Sequence, residues 1–200
     1  MKKLISFLCI FILSTINAQK IPTLKLKSAV DKEITLPVIL NEKELCIIMH
    51  YSGGWSAFDT NRYYIFQTNG NLKIYEEEVP KSYMKSPDLK KSIKELPISV
   101  DTKNQLFKMI NSNKITDFQK YSQNDFKIKQ DKKSIAPPPC MISDSTAYKI
   151  WFIQNNKQNY YGYYAPEYYL EKCPDKTINK IVLKEFLEML KEIWSVKIHN

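Results

Sequence analysis

The 200-residue chain reads as an α+β domain: a mostly antiparallel sheet built from hairpins, with a mid-chain helix and a C-terminal helix packed on the sheet. Three observations predict this. Asn69-Gly70 sits between two β-rich runs, the strongest short hairpin signal. A second pair of aromatic runs flanks the polar stretch Asn155-Asn156-Lys157-Gln158. From Ile178 to Trp194, apolar residues recur at helical spacing.

Taken in chain order, residues 21–27 alternate apolar and polar, as a first strand does. Residues 34–40 are apolar but interrupted by Pro37, which leaves an edge strand or a loop. Residues 44–51 carry Leu45, Cys46, Ile47, Ile48 and Met49, a buried strand. Ser52-Gly53-Gly54 breaks it. Residues 62–68 and 71–77 then form the first hairpin. A two-residue type I′ turn at Asn69-Gly70 would set Tyr64 opposite Tyr75, Ile65 opposite Ile74 and Arg62 opposite Glu77. Residues 79–97 are polar and Lys-rich, with Pro80, Pro87 and Pro97, and read as a loop with one helical turn near 89–93.

Asp101 can cap a helix over 101–111, and Leu106, Phe107 and Ile110 share its apolar face. Residues 115–118 read as a short extended piece, and 119–134 as an exposed polar stretch. Pro137-Pro138-Pro139 is stiff polyproline II. Residues 140–153 form a strand with Tyr148, Ile150 and Phe152 on one face and Trp151 and Ile153 on the other. The chain turns and returns over 159–170, where Pro166 should bend it. A helix over 175–194 closes the chain.

The N-terminus carries an export pattern. Lys2 and Lys3 precede an apolar run, Leu4 to Leu13, and then the small residue Ala18. The run is too short for a membrane span, which needs about 20 residues. Three segments follow: 1–18, a cleaved signal; 19–43, an N-terminal extension or edge strand; and 44–200, one α+β domain. The mature chain is expected in the periplasm or the medium. It is long enough to bury a core without a metal, and no later segment is apolar enough to span a membrane.

The formal charge is +9, yet of the 30 basic residues only Arg62 is arginine. Specific phosphate or guanine recognition favours the planar fork of arginine. A scattered lysine surface reads as solvated charge, so nucleic acid is not the expected partner. Loss of the signal removes Cys9 and leaves Cys46, Cys140 and Cys173. If the second hairpin is centred between Asn156 and Lys157, Cys140 falls opposite Cys173. Export permits that disulfide, which closes a loop worth about 3–4 kcal/mol on the chain-entropy model.

No catalytic or metal motif stands out. Cys46 and His50 share a strand face but lie about 13 Å apart along it, so a nucleophilic pair would need a third group and a bend. Three cysteines and two histidines without short paired spacings do not make a zinc site, and no glycine-rich phosphate loop exists. No cofactor is expected. Two clusters remain as binding candidates, each with a structural alternative. Ser52, Gly53, Gly54 and Trp55 form either a bulge or an exposed loop. Tyr160, Tyr161, Tyr163, Tyr164, Tyr168 and Tyr169 either build the sheet or present contact area, with Tyr161 and Tyr163 nominated.

A strand, then Ser52-Gly53-Gly54-Trp55, an aromatic strand, a glycine turn and a second strand resembles the start of emfourin-type domains. The helix at 101–111, the Asp117-Phe118 segment, a strand pair and a C-terminal helix continue the likeness over roughly 44–194. The resemblance implies a small α+β fold and inhibition of thermolysin-like metalloproteases, with Ser52, Gly53 and Gly54 as the matching positions. The signal, the N-terminal extension, the Lys-rich insertion and the cysteine pair depart from that pattern. The leading expectation is an exported, non-enzymatic module that binds another protein, a protease among the candidates. The alternatives are an exported hydrolase whose site forms only in the fold, and an envelope structural or glycan-binding protein.

Overall fold

The computed structural model describes residues 19–84, 88–128 and 140–196. Residues 1–18, read from the sequence as a signal, the polyproline run and His199 lie outside these residues. Seven strands form one antiparallel sheet: β1 (Ser28–Ala29), β2 (Leu45–Ser52), β3 (Phe58–Phe66), β4 (Leu72–Pro80), β5 (Ser92–Leu96), β6 (Ala147–Gln154) and β7 (Lys157–Tyr164). Their order is β1-β7-β6-β2-β3-β4-β5, so β2, the most apolar strand, lies at the centre. The helices are α1 (Val100–Ile110), α2 (Asn113–Phe118), α3 (Pro166–Glu171) and α4 (Lys180–Trp194), with a 3-10 turn at Gln123–Phe126.

Period-two alternation sorts the strands' side chains onto two faces. Leu45, Ile47 and Met49 of β2, Tyr64 and Phe66 of β3, and Ile150 and Phe152 of β6 enter the main core. They meet Val182, Leu183, Phe186, Leu190 and Ile193, the apolar stripe of α4. The opposite face carries Cys46, Ile48, Tyr63, Ile65 and Ile153. Residues 30–40 cross it as a strap, placing Ile34, Leu36, Val38 and Leu40 against it. The region expected as an edge strand or extension is therefore a cover for the second face, in which only Ser28–Ala29 is strand.

Both hairpins exist, each in a register different from the expected one. In the first, Arg62 pairs with Glu76, Tyr63 with Tyr75 and Tyr64 with Ile74. Its loop has three residues rather than two. The Gly70 amide donates to the Gln67 carbonyl at 2.9 Å and the Gln67 amide to Asn71 at 2.8 Å. Gly70 alone takes positive φ, 77°, and Asn69 does not. That is a type I turn with a glycine bulge, which shifts the pairing by one residue. In the second, the two-residue turn is Asn155-Asn156, with φ of 53° and 57°, so Gln154 pairs with Lys157. That register lies two residues from the expected one.

Cys140 and Cys173 are nonetheless bonded, with Cα atoms 5.7 Å apart. Neither lies on the ladder. Cys140 precedes β6 by several residues, and Cys173 follows α3, because Pro166 starts a helix instead of bending a strand. Other expectations also change. Residues 92–96 form strand β5 rather than a helical turn, and 113–118 are helical rather than extended. Ser99, not Asp101, caps α1, accepting from the Thr102 amide at 3.0 Å. Helix α4 begins at Lys180, where Asn179 accepts from the Val182 amide at 3.3 Å.

Candidate functional site

At one end of the sheet, β2, β4 and β7 finish and β3 and β6 begin. Their connections form a tip. Gly53 follows β2 with φ of 141°, and a Cβ there would lie 2.6 Å from the Ser145 carbonyl oxygen and 2.9 Å from Thr146 Cα. A side chain is thus excluded by backbone on the β6 approach, the close approach that a paired glycine suggests. Gly54 turns the chain at φ of 62° with open space around it.

Lys81 holds this loop from beneath. Its side chain is buried, and its ammonium donates to the carbonyls of Gly53 and Gly54, both at 3.1 Å. The Lys81 amide donates to Ala57 at 2.9 Å, and the Phe58 amide to Ser56 Oγ at 3.1 Å. Trp55 projects from the loop at 99% exposure. Tyr83 and Met141, at the same end, are exposed as well.

The tyrosine cluster supports this tip. Tyr169 donates to the Cys140 carbonyl and Tyr168 to that of Met141, both at 3.3 Å. Tyr164 donates to the Ile142 carbonyl at 3.4 Å and accepts from the Ser145 amide at 3.0 Å. Together with the disulfide, these hydroxyls tie down the segment on which Gly53 rests. Three of the six tyrosines, Tyr164, Tyr168 and Tyr169, thus satisfy backbone groups of the 140–145 segment that no strand partner reaches.

Of the two tyrosines nominated for contact, Tyr161 is excluded by burial. It is 0% exposed, packed on Phe118 at 4.8 Å between ring centroids, with its hydroxyl on the Tyr121 carbonyl at 3.1 Å. It points to the main core because its register partner, Ile150, does. Tyr163 is half-buried on the same face against Phe126 and Tyr169. Ser52 ends β2, half-buried, beside the glycines.

Cys46 is wholly buried, and burial pushes its thiol well above the usual range. A thiol held neutral in apolar packing is a poor nucleophile. His50 shares 2.8 Å with Asn61, and among the described residues no hydrogen bond joins it to Ser52 or Cys46. No group of His, Cys, Asp or Glu among the described residues could hold a metal ion. No described helix is long and apolar enough to cross a membrane.

The role of Lys81 leaves no mark in the sequence. A single lysine in a chain with 30 basic residues carries no signal of burial. Neither the protein-family models nor the curated proteins contain a match to this chain.

Proposed function

We propose that the protein is an exported binding module that docks on another protein through the Trp55 loop. One observation carries the reading: a fully exposed tryptophan stands on a loop whose carbonyls are held by a buried ammonium. Trp is enriched at interface hot spots, and here it stands at the same end of the sheet as exposed Tyr83 and Met141. A rigid presenting loop loses little entropy on binding. The disulfide suits an oxidising compartment, in keeping with the export pattern.

A protease is the first partner to test, because a rigid convex loop fits an extended cleft and Ser52, Gly53 and Gly54 match the emfourin-type pattern. The purified mature protein is titrated against a thermolysin-like metalloprotease with a peptide substrate. Inhibition at micromolar concentration, lost on Trp55→Ala, is expected. Absence of inhibition by the folded protein overturns the protease reading.

A further inference from the structure

A second site lies on the strap-covered face, and it stands independently of the Trp55 loop. Strap residues 33–35 close over β3 and β4 and leave a cavity of about 240 Å³, floored by Ile48 and walled on one side by Trp151. The opposite wall is polar. Glu77, only 4% exposed, accepts from Asn61 Nδ2 and from the Tyr63 hydroxyl, both at 2.7 Å. Lys91 Nζ reaches its other oxygen at 2.6 Å.

This network fixes the direction of every member. Asn61 Nδ2 donates to Glu77, so Asn61 Oδ1 accepts, and His50 Nδ1 carries the proton between them. Burial pushes the Glu77 carboxyl up. Hydrogen bonds from Lys91, Asn61 and Tyr63, with the Lys91 charge, outweigh burial and hold it below the usual range. An ion pair with one buried and one exposed partner, Glu77 and Lys91, adds little stability because solvent screens it. Its effect is to hold a carboxylate, an amide, a phenol and an ammonium in place around one cavity. The facing indole is steadied too: Trp151 packs on Tyr160 at 5.0 Å and meets the His50 ring edge-on at 6.5 Å.

We propose that this cavity binds one ring of a neutral carbohydrate, its C–H face against Trp151 and its hydroxyls shared among Lys91, Asn61 and Glu77. Three features select that ligand. The wall offers donors and acceptors side by side, which is what vicinal hydroxyls require, each both donating and accepting. The charges of Glu77 and Lys91 offset each other, and the exposed Glu33 of the strap adds a carboxylate to the lining that disfavours an anionic ligand. The volume lies below the ~300–1,000 Å³ of drug-sized pockets, which limits the occupant to about one sugar ring.

The test uses the mature protein and three neutral probes, glucose, galactose and N-acetylglucosamine, with glucosamine as a cationic control and the Trp151 indole followed by NMR. A saturable shift in the millimolar range with at least one of them is expected. Lys91→Ala, whose native side chain is 58% exposed and whose loss should leave the melting temperature unchanged, should weaken it at least tenfold. Glu77→Gln should do the same, and Trp55→Ala should leave it unchanged. No saturable shift with any of the three sugars overturns the proposal. So does a shift that survives both Lys91→Ala and Glu77→Gln, or a response confined to glucosamine, which would assign the cavity to an ammonium group.

Discussion

The two ends of the sheet are built to opposite rules. At the turn end, Asn155-Asn156 and residues 67–71 close hairpins, the latter with local bonds: the Asn71 amide to Asn69 Oδ1 and the Gly70 amide to the Gln67 carbonyl, both at 2.9 Å. Sequence neighbours set the turns there, and long-range bonds such as the Lys43 amide to Asn155 Oδ1 at 2.8 Å add to them. At the tip, residues far apart in the chain converge. Lys81 supports Gly53, Ser145 abuts it, and a disulfide spanning 33 residues anchors the segment that carries Ser145. The turn end leaves polar residues in water: Thr68, Asn69, Asn71, Asn155 and Asn156 are all exposed. The tip uses long-range support to hold out Trp55. A loop that only joined two strands would not need an anchored segment and a buried cation to shape it.

Removing the disulfide should therefore separate the ends most sharply. Replacing both Cys140 and Cys173 by Ser should cost about 2–5 kcal/mol, read by thermal or urea unfolding. Native hydrogen exchange should speed up across 53–57 and 140–146 while 67–71 and 155–156 stay as they were. Equal acceleration at both ends would contradict the division.

Lys81→Met keeps the stem and removes the cation, leaving two carbonyls without their donor. A loss of about 1–3 kcal/mol is expected, with the Trp55 indole resonance narrowing toward that of a mobile side chain. An unchanged Trp55 signal would show that the ammonium does not shape the loop. At the other end, Asn156→Ala places a Cβ-bearing residue without a local polar partner at φ of 57°. It should cost about 1 kcal/mol, roughly 2–4 °C in melting temperature, and leave the tip's exchange rates untouched. Trp55→Ala should have the smallest effect on stability, within about 0.5 kcal/mol, because the side chain packs on nothing that folding needs. A larger loss would mark Trp55 as structural.

The same contrast explains what the sequence made legible. Strand β2, helix α4 and the existence of both hairpins follow from periodicity and turn residues within short windows. The alternation on β6 was also readable, with Ile150 and Phe152 on one face and Trp151 and Ile153 on the other. The registers were not. Whether Thr68-Asn69-Gly70 closes with two residues or three depends on the φ of Asn69, which the Asn-Gly pair leaves open. The cysteine pairing was reached through a register that does not occur; the bond exists because α3 swings Cys173 back beneath the 140–146 segment. Strand β5 was hidden by its charged, exposed composition, as suits an edge strand. Residues 34–40 looked like an interrupted strand because a strap over an apolar face needs the same alternation as a strand. At the candidate site, the glycine pair and Trp55 announced a special loop, whereas Lys81 and the tyrosine hydroxyls act across long sequence distances and left no local pattern.

The claim that the tip is the docking end is tested most directly with the three tryptophans themselves. The mature protein is labelled with 5-fluorotryptophan, its three signals are assigned by single Trp→Phe replacements, and the thermolysin-like metalloprotease is titrated in. The Trp55 signal should shift or broaden saturably while Trp151, beneath the strap, and Trp194, bonded to the Tyr51 hydroxyl, hold still. A Trp55 signal that stays unmoved through the titration would contradict the account.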